Sequence, residues 1–398
     1  MTTGVLKRVP TTAAGEVRPK VFLICYSYPP VLGGSEVEAQ RICAALIRRG
    51  YQVEVLTGSE HPMPQQKRWV DDCGIPVRIL GIGWPGQWRQ RMYAAQVGWI
   101  LLTESRDYQM VYCLMQGLHL AVSLLVSRFL NKPLVMKVSG SDIIPRMRQS
   151  WLGRLELKWL QQWAKKVMIL NDGMVEEARE AGFDTAQLLW MPNPVDVDEF
   201  CPLRDVPQRD LLRGEKGLRG PAAVYVGRLA PEKELLSLVG GFALALKKCP
   251  DAELVLVGDG PCYAELDALA RQLGVRDRVH FPGRAPAEVV LQWLQACDVF
   301  ALVSRIEGFS CSLSEAMSAG LPSVVSDISG NSQLIDPEVH GLRSELRNEA
   351  SIADCLVRLF EDPALRARMG EAARLRIVDN YSLDQVADRY EQLIQEVI

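Results

Sequence analysis

The sequence predicts an α/β protein with two Rossmann-like, doubly wound domains that face each other across a cleft. Three observations predict this fold. The chain has 398 residues, which is too long for one ordinary hydrophobic core and favours two domains. Short β-branched runs alternate with longer helical patterns in both halves, as in the βαβ units of parallel sheets. A stretch rich in charge, glycine and proline separates the halves.

The predicted strands occur throughout both halves. In the first half they span 21–27, 53–57, 77–80, 110–114, 134–139, 167–170 and 188–192. In the second half they span 223–227, 254–258, 279–283, 299–304 and 323–326. Several are continuous apolar runs, which is typical of strands that helices cover on both faces. Because ligands of such sheets bind beyond the carboxyl ends of the strands, we expect the functional residues there.

The domain boundaries follow from composition. Residues 1–200 form the predicted N-terminal domain, and residues 222–380 form the predicted C-terminal domain. Between them, 201–221 has little periodicity and is interpreted as a linker. The last segment, 381–398, has the apolar spacing of an amphipathic helix.

Bulk composition argues against several classes of protein. The net charge is −3, so no global positive field favours nucleic acid as a partner. The ten cysteines are scattered without a C-x-x-C pair, which indicates reduced thiols in a reducing compartment. The N-terminal residues lack the apolar core of a signal peptide, and no apolar run approaches the ~18 residues that span a bilayer. We therefore expect a cytoplasmic protein, at most peripheral to a membrane.

The segment 307–322, EGFSCSLSEAMSAGLP, carries the strongest chemical signal. A predicted strand ends just before it, a Ser-rich turn follows, and the free N–H groups of the next helix suit a phosphate. Glu307 is placed to reach a sugar hydroxyl, and Glu315 to accept the hydroxyls of a ribose. The alternative for Glu315 is a capping box, because Ser312-x-x-Glu315 fits that pattern by itself.

A second signal is VGRLAPEK, 226–233, where Arg228 and Lys233 follow the first strand of the C-terminal half. Two fixed cations can stabilise the charge that grows on a departing nucleoside diphosphate without a metal. The alternative is a solvated pair of surface charges. Farther along the chain, Gly258 and Gly260 end another strand and permit close backbone approach, although Gly-rich turns are common.

A third signal lies near the N-terminus, in 28–50. A strand leads into the Gly33-Gly34 turn, and a helix opens at Ser35. Its backbone N–H groups are suited to contact the diphosphate from the opposite side of the cleft. The alternative is a plain strand-to-helix turn.

These three segments, in this order, resemble glycosyltransferase family 4, which comprises retaining enzymes of the GT-B fold. The E-x7-E motif of that family reads here Glu307 to Glu315. Positions that line sugar and phosphate through their backbone match Phe309, Ser310, Cys311, Ser312 and Leu313. The resemblance assigns the diphosphate to Arg228 and Lys233 and the donor-contacting glycines to Gly33 and Gly34. It also implies that the final helix crosses back to the first domain.

One departure concerns the acceptor side. Where many members carry a His in a T-x-H-G-S-D-like segment, this chain has KVSGSD, with Ser139 in that place. Asp142 keeps its family position and is an acceptor-side candidate. His119 follows a different strand and is interpreted as structural.

The resemblance implies transfer of a sugar from a nucleoside-diphosphate sugar to an acceptor hydroxyl with retention. A UDP-sugar is favoured as donor and a GDP-sugar is the second choice, while the acceptor is a small molecule, a glycan or a lipid-linked molecule. No metal and no other cofactor are expected. The alternatives are a GT-B-fold epimerase acting on the nucleotide sugar and a non-catalytic protein that binds it.

Two weaker patterns are interpreted as decoys. GIGWPG, 81–86, matches the G-x-G-x-x-G of dinucleotide-binding proteins, but it does not follow the first strand, and Trp84-Pro85 would crowd the phosphate. Asp196-x-Asp198 matches a metal-binding D-x-D, but it lies far in sequence from the other ligands.

The stretch 145–167 has six basic residues and one acidic residue, interleaved with three tryptophans. Such a segment suits peripheral contact with an anionic membrane or guidance of a lipid-linked acceptor. The alternative is a helix packed on the first domain with a solvated basic face.

Overall fold

The computed structural model describes residues 18–29, 34–58, 68–84, 86–141 and 143–398. The chain divides into two compact units. Unit 1 comprises Met1–Ile169, Glu177–Met191 and Ala387–Ile398, and unit 2 comprises Leu170–Glu176 and Pro192–Val386. Each unit is built on its own sheet of mainly parallel strands, as the alternation of strand and helix patterns predicts.

Unit 1 contains an eight-stranded sheet in the order β3-β4-β2-β1-β5-β6-β7-β8. Its strands are β1 (Lys20–Cys25), β2 (Gln52–Thr57), β3 (Arg68–Val70), β4 (Pro76–Ile79), β5 (Met110–Leu114), β6 (Leu134–Lys137), β7 (Lys166–Ile169) and β8 (Leu188–Trp190). All neighbours are parallel except β3, which pairs antiparallel with β4 at the edge. The helices between Gly34 and Glu180 are α1 (Gly34–Arg48), α2 (Gly86–Thr103), α3 (Leu118–Leu130), α4 (Ile143–Gln149), α5 (Trp151–Trp163) and α6 (Asp172–Glu180).

Unit 2 contains a six-stranded parallel sheet in the order β11-β10-β9-β12-β13-β14. Its strands are β9 (Ala222–Val226), β10 (Glu253–Val257), β11 (Val279–Gly283), β12 (Val299–Leu302), β13 (Ser323–Ser326) and β14 (Gly341–Ser344). Its helices are α7 (Val206–Glu215), α8 (Leu235–Ala245), α9 (Tyr263–Gln272), α10 (Ala287–Ala296), α11 (Cys311–Ser318), α12 (Ser329–Ser332), α13 (Glu349–Glu361) and α14 (Pro363–Tyr381). The last helix, α15 (Leu383–Val397), begins in unit 2 and continues into unit 1. The central strands β9, β10 and β12 are buried along almost their whole length.

Two strands, β3 and β14, were not predicted from the sequence. β3 has only three residues, and β14 reads GLRS without a β-branched residue. Both take their extended form from hydrogen bonds to a neighbouring strand, which a local pattern does not report.

The predicted linker, 201–221, contains helix α7 and belongs to unit 2. Asp205 caps the helix by accepting a hydrogen bond from the backbone of Gln208. Arg209 and Arg213 reach Asp298 at 2.8 and 3.1 Å, just before β12. The helix has no fully buried residue, which explains why its sequence shows little apolar periodicity.

Residues Ala387–Ile398 of α15 belong to unit 1. The hydroxyl groups of Tyr390 and Tyr112 lie 2.9 Å apart in the core. Beside them, the fully buried ammonium of Lys137 forms an ion pair with the equally buried Glu38. This cluster joins helix α1, strands β5 and β6 and the C-terminal helix within unit 1.

Replacing Lys137 by Met should lower the free energy of unfolding by about 3–5 kcal/mol, because the buried Glu38 would lose its counter-ion and would have to stay charged without it or take up a proton. Urea unfolding followed by circular dichroism measures the loss. The double variant with Glu38→Leu should recover a large part of it, since both charges are then removed. A double variant no more stable than Lys137→Met alone would contradict this explanation.

Candidate functional site

The loop after β9 carries the two predicted cations of unit 2. Arg228 is exposed over 68% of its side chain and pairs with Glu232 at 2.6 Å. Tyr225 donates a hydrogen bond of 2.9 Å from its hydroxyl to the carbonyl of Arg228, and this fixes the backbone beneath the guanidinium. Lys233 ends a single 3-10 turn that begins at Pro231.

Lys233 forms an ion pair with Glu307, with 2.7 Å between the ammonium nitrogen and a carboxylate oxygen. The Glu307 side chain is only 9% exposed and that of Lys233 is 21% exposed. The two residues are 74 positions apart in sequence. They meet because β9 and β12 are neighbours in the sheet, so that the loops at their carboxyl ends converge.

The backbone around Glu307 is held by two residues that sequence reasoning missed. Asn171 donates a hydrogen bond of 2.6 Å from its side-chain amide to the carbonyl of Gly308. A Cβ atom at Gly330 would lie 2.1 Å from the carbonyl oxygen of Glu307, so only glycine fits there. In the sequence, Asn171 stands two residues after β7 and Gly330 follows β13, but only the fold shows that both contact the loop of Glu307.

Helix α11 begins at Cys311, and its cap is Ser310. The Ser310 hydroxyl accepts a hydrogen bond of 3.2 Å from the backbone N–H of Leu313. Ser312 lies inside the helix, so the proposed capping box from Ser312 to Glu315 does not form. This removes the alternative explanation of Glu315, which sits one turn into the helix and is half-buried.

The residues between Glu307 and Glu315 divide into two groups. Phe309 and Leu313 are buried, and the ring of Phe309 lies 5.6 Å from that of Tyr381. The Sγ atom of half-buried Cys311 accepts a hydrogen bond of 3.5 Å from the Asn193 amide. The side chains of Phe309 and Leu313 thus pack in the core. The backbone N–H of Leu313 is taken by Ser310, so its predicted contact with a ligand through that group would require the cap to open.

Gly258 and Gly260 have φ values of +143° and +159°. A Cβ atom at Gly258 would lie 1.9 Å from the carbonyl oxygen of Gly227, and one at Gly260 would lie 2.4 Å from that of Leu229. Both glycines are thus required where the turn after β10 packs on the loop that carries Arg228. The sequence predicts that another group lies close to the backbone of these glycines. In the structure, that group is the loop after β9.

The predicted site residues of unit 1 are only partly described. Gly33 and Asp142 lie outside the described residues, and Gly34 is the exposed first residue of α1. The hydroxyl of Ser139 is buried and has no hydrogen-bond partner among the described residues. The same holds for the side-chain carbonyl oxygen of Gln116, which follows the neighbouring strand β5.

The turn that contains Gln116 has a strained backbone and is hydrogen-bonded to the side chain of Glu156. Met115 has a φ of 68°, which is uncommon for a residue with a side chain. Burial raises the pKa of Glu156 to about 7, while a hydrogen bond from the backbone of Gly117 opposes this shift. Burial lowers the pKa of His119 to about 4, so that its ring is neutral near pH 7. Sequence reasoning missed Gln116 and Glu156.

No group of three or more His, Cys, Asp or Glu side chains in the described part of the chain is arranged to hold a metal ion. A carboxylate oxygen of Asp196 accepts hydrogen bonds from the backbone of Asp198 and Glu199, at 3.2 and 3.0 Å. The D-x-D pattern therefore forms a backbone turn.

Comparison with known families identifies both units. The model described as "Glycosyl transferase 4-like domain" matches residues 33–194, and the model "Glycosyl transferases group 1" matches residues 210–376. The chain belongs to glycosyltransferase family 4.

Two relatives match this family 4 glycosyltransferase over more than half of its length. It is 26% identical to the alpha-D-kanosaminyltransferase of Streptomyces kanamyceticus, over 88% of its own length and 96% of the relative. It is 29% identical to the UDP-Gal:alpha-D-GlcNAc-diphosphoundecaprenol alpha-1,3-galactosyltransferase of Escherichia coli, over 62% of its own length and 65% of the relative.

Solved structures show that the family 4 glycosyltransferase has the GT-B fold. Anabaena HepE in complex with UDP and glucose superposes with a TM-score of 0.78 and 21% identity, covering 95% of this chain and 100% of that one. In the segments that the structure describes, no helix combines the length and apolar character needed to cross a membrane.

Replacing Gly258 by Ala should destabilise unit 2 by about 2 kcal/mol or more, because the new methyl group would overlap the carbonyl of Gly227. The matched control is Gly274→Ala, where φ is +71° but no atom lies within 4 Å of the added group, so that only about 1–2 kcal/mol of backbone strain is expected. Urea unfolding of both variants compares the two costs. Equal losses would show that the contact with Gly227 is unimportant.

Proposed function

We propose that this glycosyltransferase moves a sugar from a nucleoside-diphosphate sugar to an acceptor hydroxyl, with retention at the anomeric carbon and without a metal ion. The observation that carries the proposal is the ion pair of Lys233 and Glu307, next to Arg228 and at the edge of the sheet where α11 begins. It combines a cation for phosphate and a carboxylate for sugar hydroxyls. UDP-sugars are favoured, since the Escherichia coli relative is named for UDP-Gal and the HepE structure contains UDP.

In this mechanism the bond between the anomeric carbon and the phosphate oxygen breaks first. Positive charge develops on the sugar ring, as in other glycosyl transfers, and negative charge develops on the departing diphosphate. Arg228 and Lys233, together with the positive end of the α11 dipole, stabilise that negative charge. The acceptor oxygen then bonds to the same face of the anomeric carbon, and its proton passes to the leaving phosphate.

The two carboxylates orient the donor. Glu307 accepts hydrogen bonds from sugar hydroxyls while its other interaction, with Lys233, holds the ammonium beside the phosphate. Glu315 accepts the hydroxyls of the ribose from its position in α11. Because an ammonium group has three N–H donors, Lys233 can bind phosphate without giving up Glu307.

The acceptor is a small molecule, a glycan or a lipid-linked molecule, and Ser139 and Asp142 are proposed to lie on its side of the reaction. The names of the two relatives describe an aminosugar transfer and a transfer to a diphosphoundecaprenol-linked sugar. An epimerase of the same fold would form product without any acceptor, and a non-catalytic binding protein would release no nucleoside diphosphate. Product analysis with and without acceptors separates these alternatives.

We place the reaction in the cytoplasm. All ten cysteines are free thiols, and six of them are buried. Unpaired thiols in this number are typical of proteins in a reducing compartment.

Replacing Arg228 or Lys233 by Ala should lower turnover by roughly 10²-fold or more, the usual effect of removing one group that stabilises transition-state charge. Release of nucleoside diphosphate from a panel of UDP- and GDP-sugars measures turnover. The matched control is Arg358→Ala in the same unit, because Arg358 forms an exposed pair with Glu338 at 2.8 Å. Rates near those of the wild type in both test variants would refute the assignment.

Activity should remain unchanged in excess chelator, because the leaving diphosphate is stabilised by protein cations. The measurement is nucleoside diphosphate release after dialysis against EDTA, with and without added Mg²⁺ or Mn²⁺. A strict requirement for a divalent ion would overturn metal independence and make Asp196 and Asp198 candidate ligands again.

A further inference from the structure

Helices α2, α3 and α5 form one layer on unit 1. They follow β4, β5 and β6, and each leads to the next strand in the same direction across the sheet. Because such crossovers are right-handed, the three helices lie on the same face of the sheet. Helix α2 contacts α3, α3 contacts α5, and the short helix α4 packs on α5. We call the outer surface of α2, α3, α4 and α5 the basic aromatic face.

The basic aromatic face exposes many large apolar side chains. These are Trp88, Trp99, Leu102, Leu118, Leu125, Phe129 and Trp151. Phe129 is 81% exposed, Trp151 is 72% exposed and Trp99 is 69% exposed. Within the described part of the chain, every exposed Trp or Phe side chain lies between residues 84 and 151. Large exposed apolar groups concentrated in one region indicate an interaction surface.

The charge of the same four helices is strongly one-sided. They contain seven basic residues, which are Arg89, Arg91, Arg128, Arg146, Arg148, Arg154 and Lys158. Their single acidic residue, Glu156, is 2% exposed and therefore contributes little to the surface. The whole chain has a net charge of −3, so this concentration of positive charge is local.

We propose that the basic aromatic face binds the surface of an anionic phospholipid bilayer. Tryptophan and phenylalanine side chains insert into the interface between lipid headgroups and acyl chains, while arginine and lysine side chains pair with anionic headgroups. Contact between Arg91 and Trp88, with 5.0 Å from the guanidinium carbon to the ring centroid, shows the two kinds of group side by side.

A bilayer fits this face better than a second copy of the chain does. A two-fold contact through the face would bring seven basic residues close to seven others, and like charges in contact are unfavourable. An anionic bilayer supplies the missing negative charge along the whole face. The packing of α5 leaves this surface available, because its buried side consists of Gly153, Glu156, Leu157 and Leu160.

The proposal is independent of the donor site. All residues of the basic aromatic face belong to unit 1, whereas the loops of Arg228, Lys233 and Glu307 belong to unit 2. Variants in the face should therefore leave nucleotide binding unchanged. A thermal-shift measurement with UDP and UDP-sugars checks this separately for every variant.

The test is co-sedimentation of the full chain with vesicles of phosphatidylcholine alone and of phosphatidylcholine mixed equally with phosphatidylglycerol. The wild type should bind the anionic vesicles and lose binding at high salt. The triple variant Arg148→Gln, Arg154→Gln, Lys158→Gln should bind about 100-fold more weakly, because each basic residue near an anionic surface contributes roughly fivefold. The double variant Trp99→Ser, Phe129→Ser should also lose binding.

The matched control is Leu211→Ser with Leu375→Ser, which removes two exposed apolar side chains from unit 2 and should bind vesicles like the wild type. Circular dichroism verifies that each variant is folded. A wild type that stays in the supernatant with anionic vesicles would overturn the proposal, as would undiminished binding by the triple variant. Concentration-dependent dimerisation that the Trp99 and Phe129 substitutions abolish would identify the face as a protein interface instead.

Discussion

The ion pair between Lys233 and Glu307 is the interaction on which the candidate donor site depends. It joins the loops after two neighbouring parallel strands, β9 and β12, across 74 positions of sequence. The Glu307 side chain is only 9% exposed, and a carboxylate with so little contact with water is stabilised by a neighbouring cation. The pair therefore holds both loops in place, and with them Arg228 and the start of helix α11.

The surrounding residues act mainly on the backbone of these two loops. Gly258 packs against Gly227, Gly330 packs against Glu307, and Asn171 donates a hydrogen bond to Gly308. None of these contacts involves a charged side chain. They set the backbone positions of the two loops that carry the charged side chains. A methyl group added at either glycine would therefore displace a loop without removing any functional group.

The two units present different chemistry. Unit 2 places cations and carboxylates at the ends of its strands, where a nucleotide sugar is proposed to bind. Unit 1 instead shows a strained turn at Met115 and, on its helical layer, exposed tryptophans among arginines. Among the described residues, the side-chain oxygens of Gln116 in that turn and of Ser139 after β6 have no hydrogen-bond partner. The proposed donor site and the proposed membrane-binding face thus lie on different units, and substitutions can test them separately.

The sequence by itself determined the α/β class, most strands and the charged residues of unit 2, because apolar periodicity and motif spacing are local properties. Only the tertiary structure decided that Ser310 rather than Ser312 caps α11, which frees Glu315 from the capping explanation. It also decided that 201–221 contains a helix of unit 2, that GLRS is a strand, and that Trp99 is exposed. The strand GLRS, the packing of α7 on unit 2 and the exposure of Trp99 depend on partners distant in sequence, or on the lack of one, and a local pattern carries no information about such partners. The cap of α11 is a local contact, between Ser310 and Leu313, but the sequence offered two serines for it and only the backbone shows which one precedes the helix.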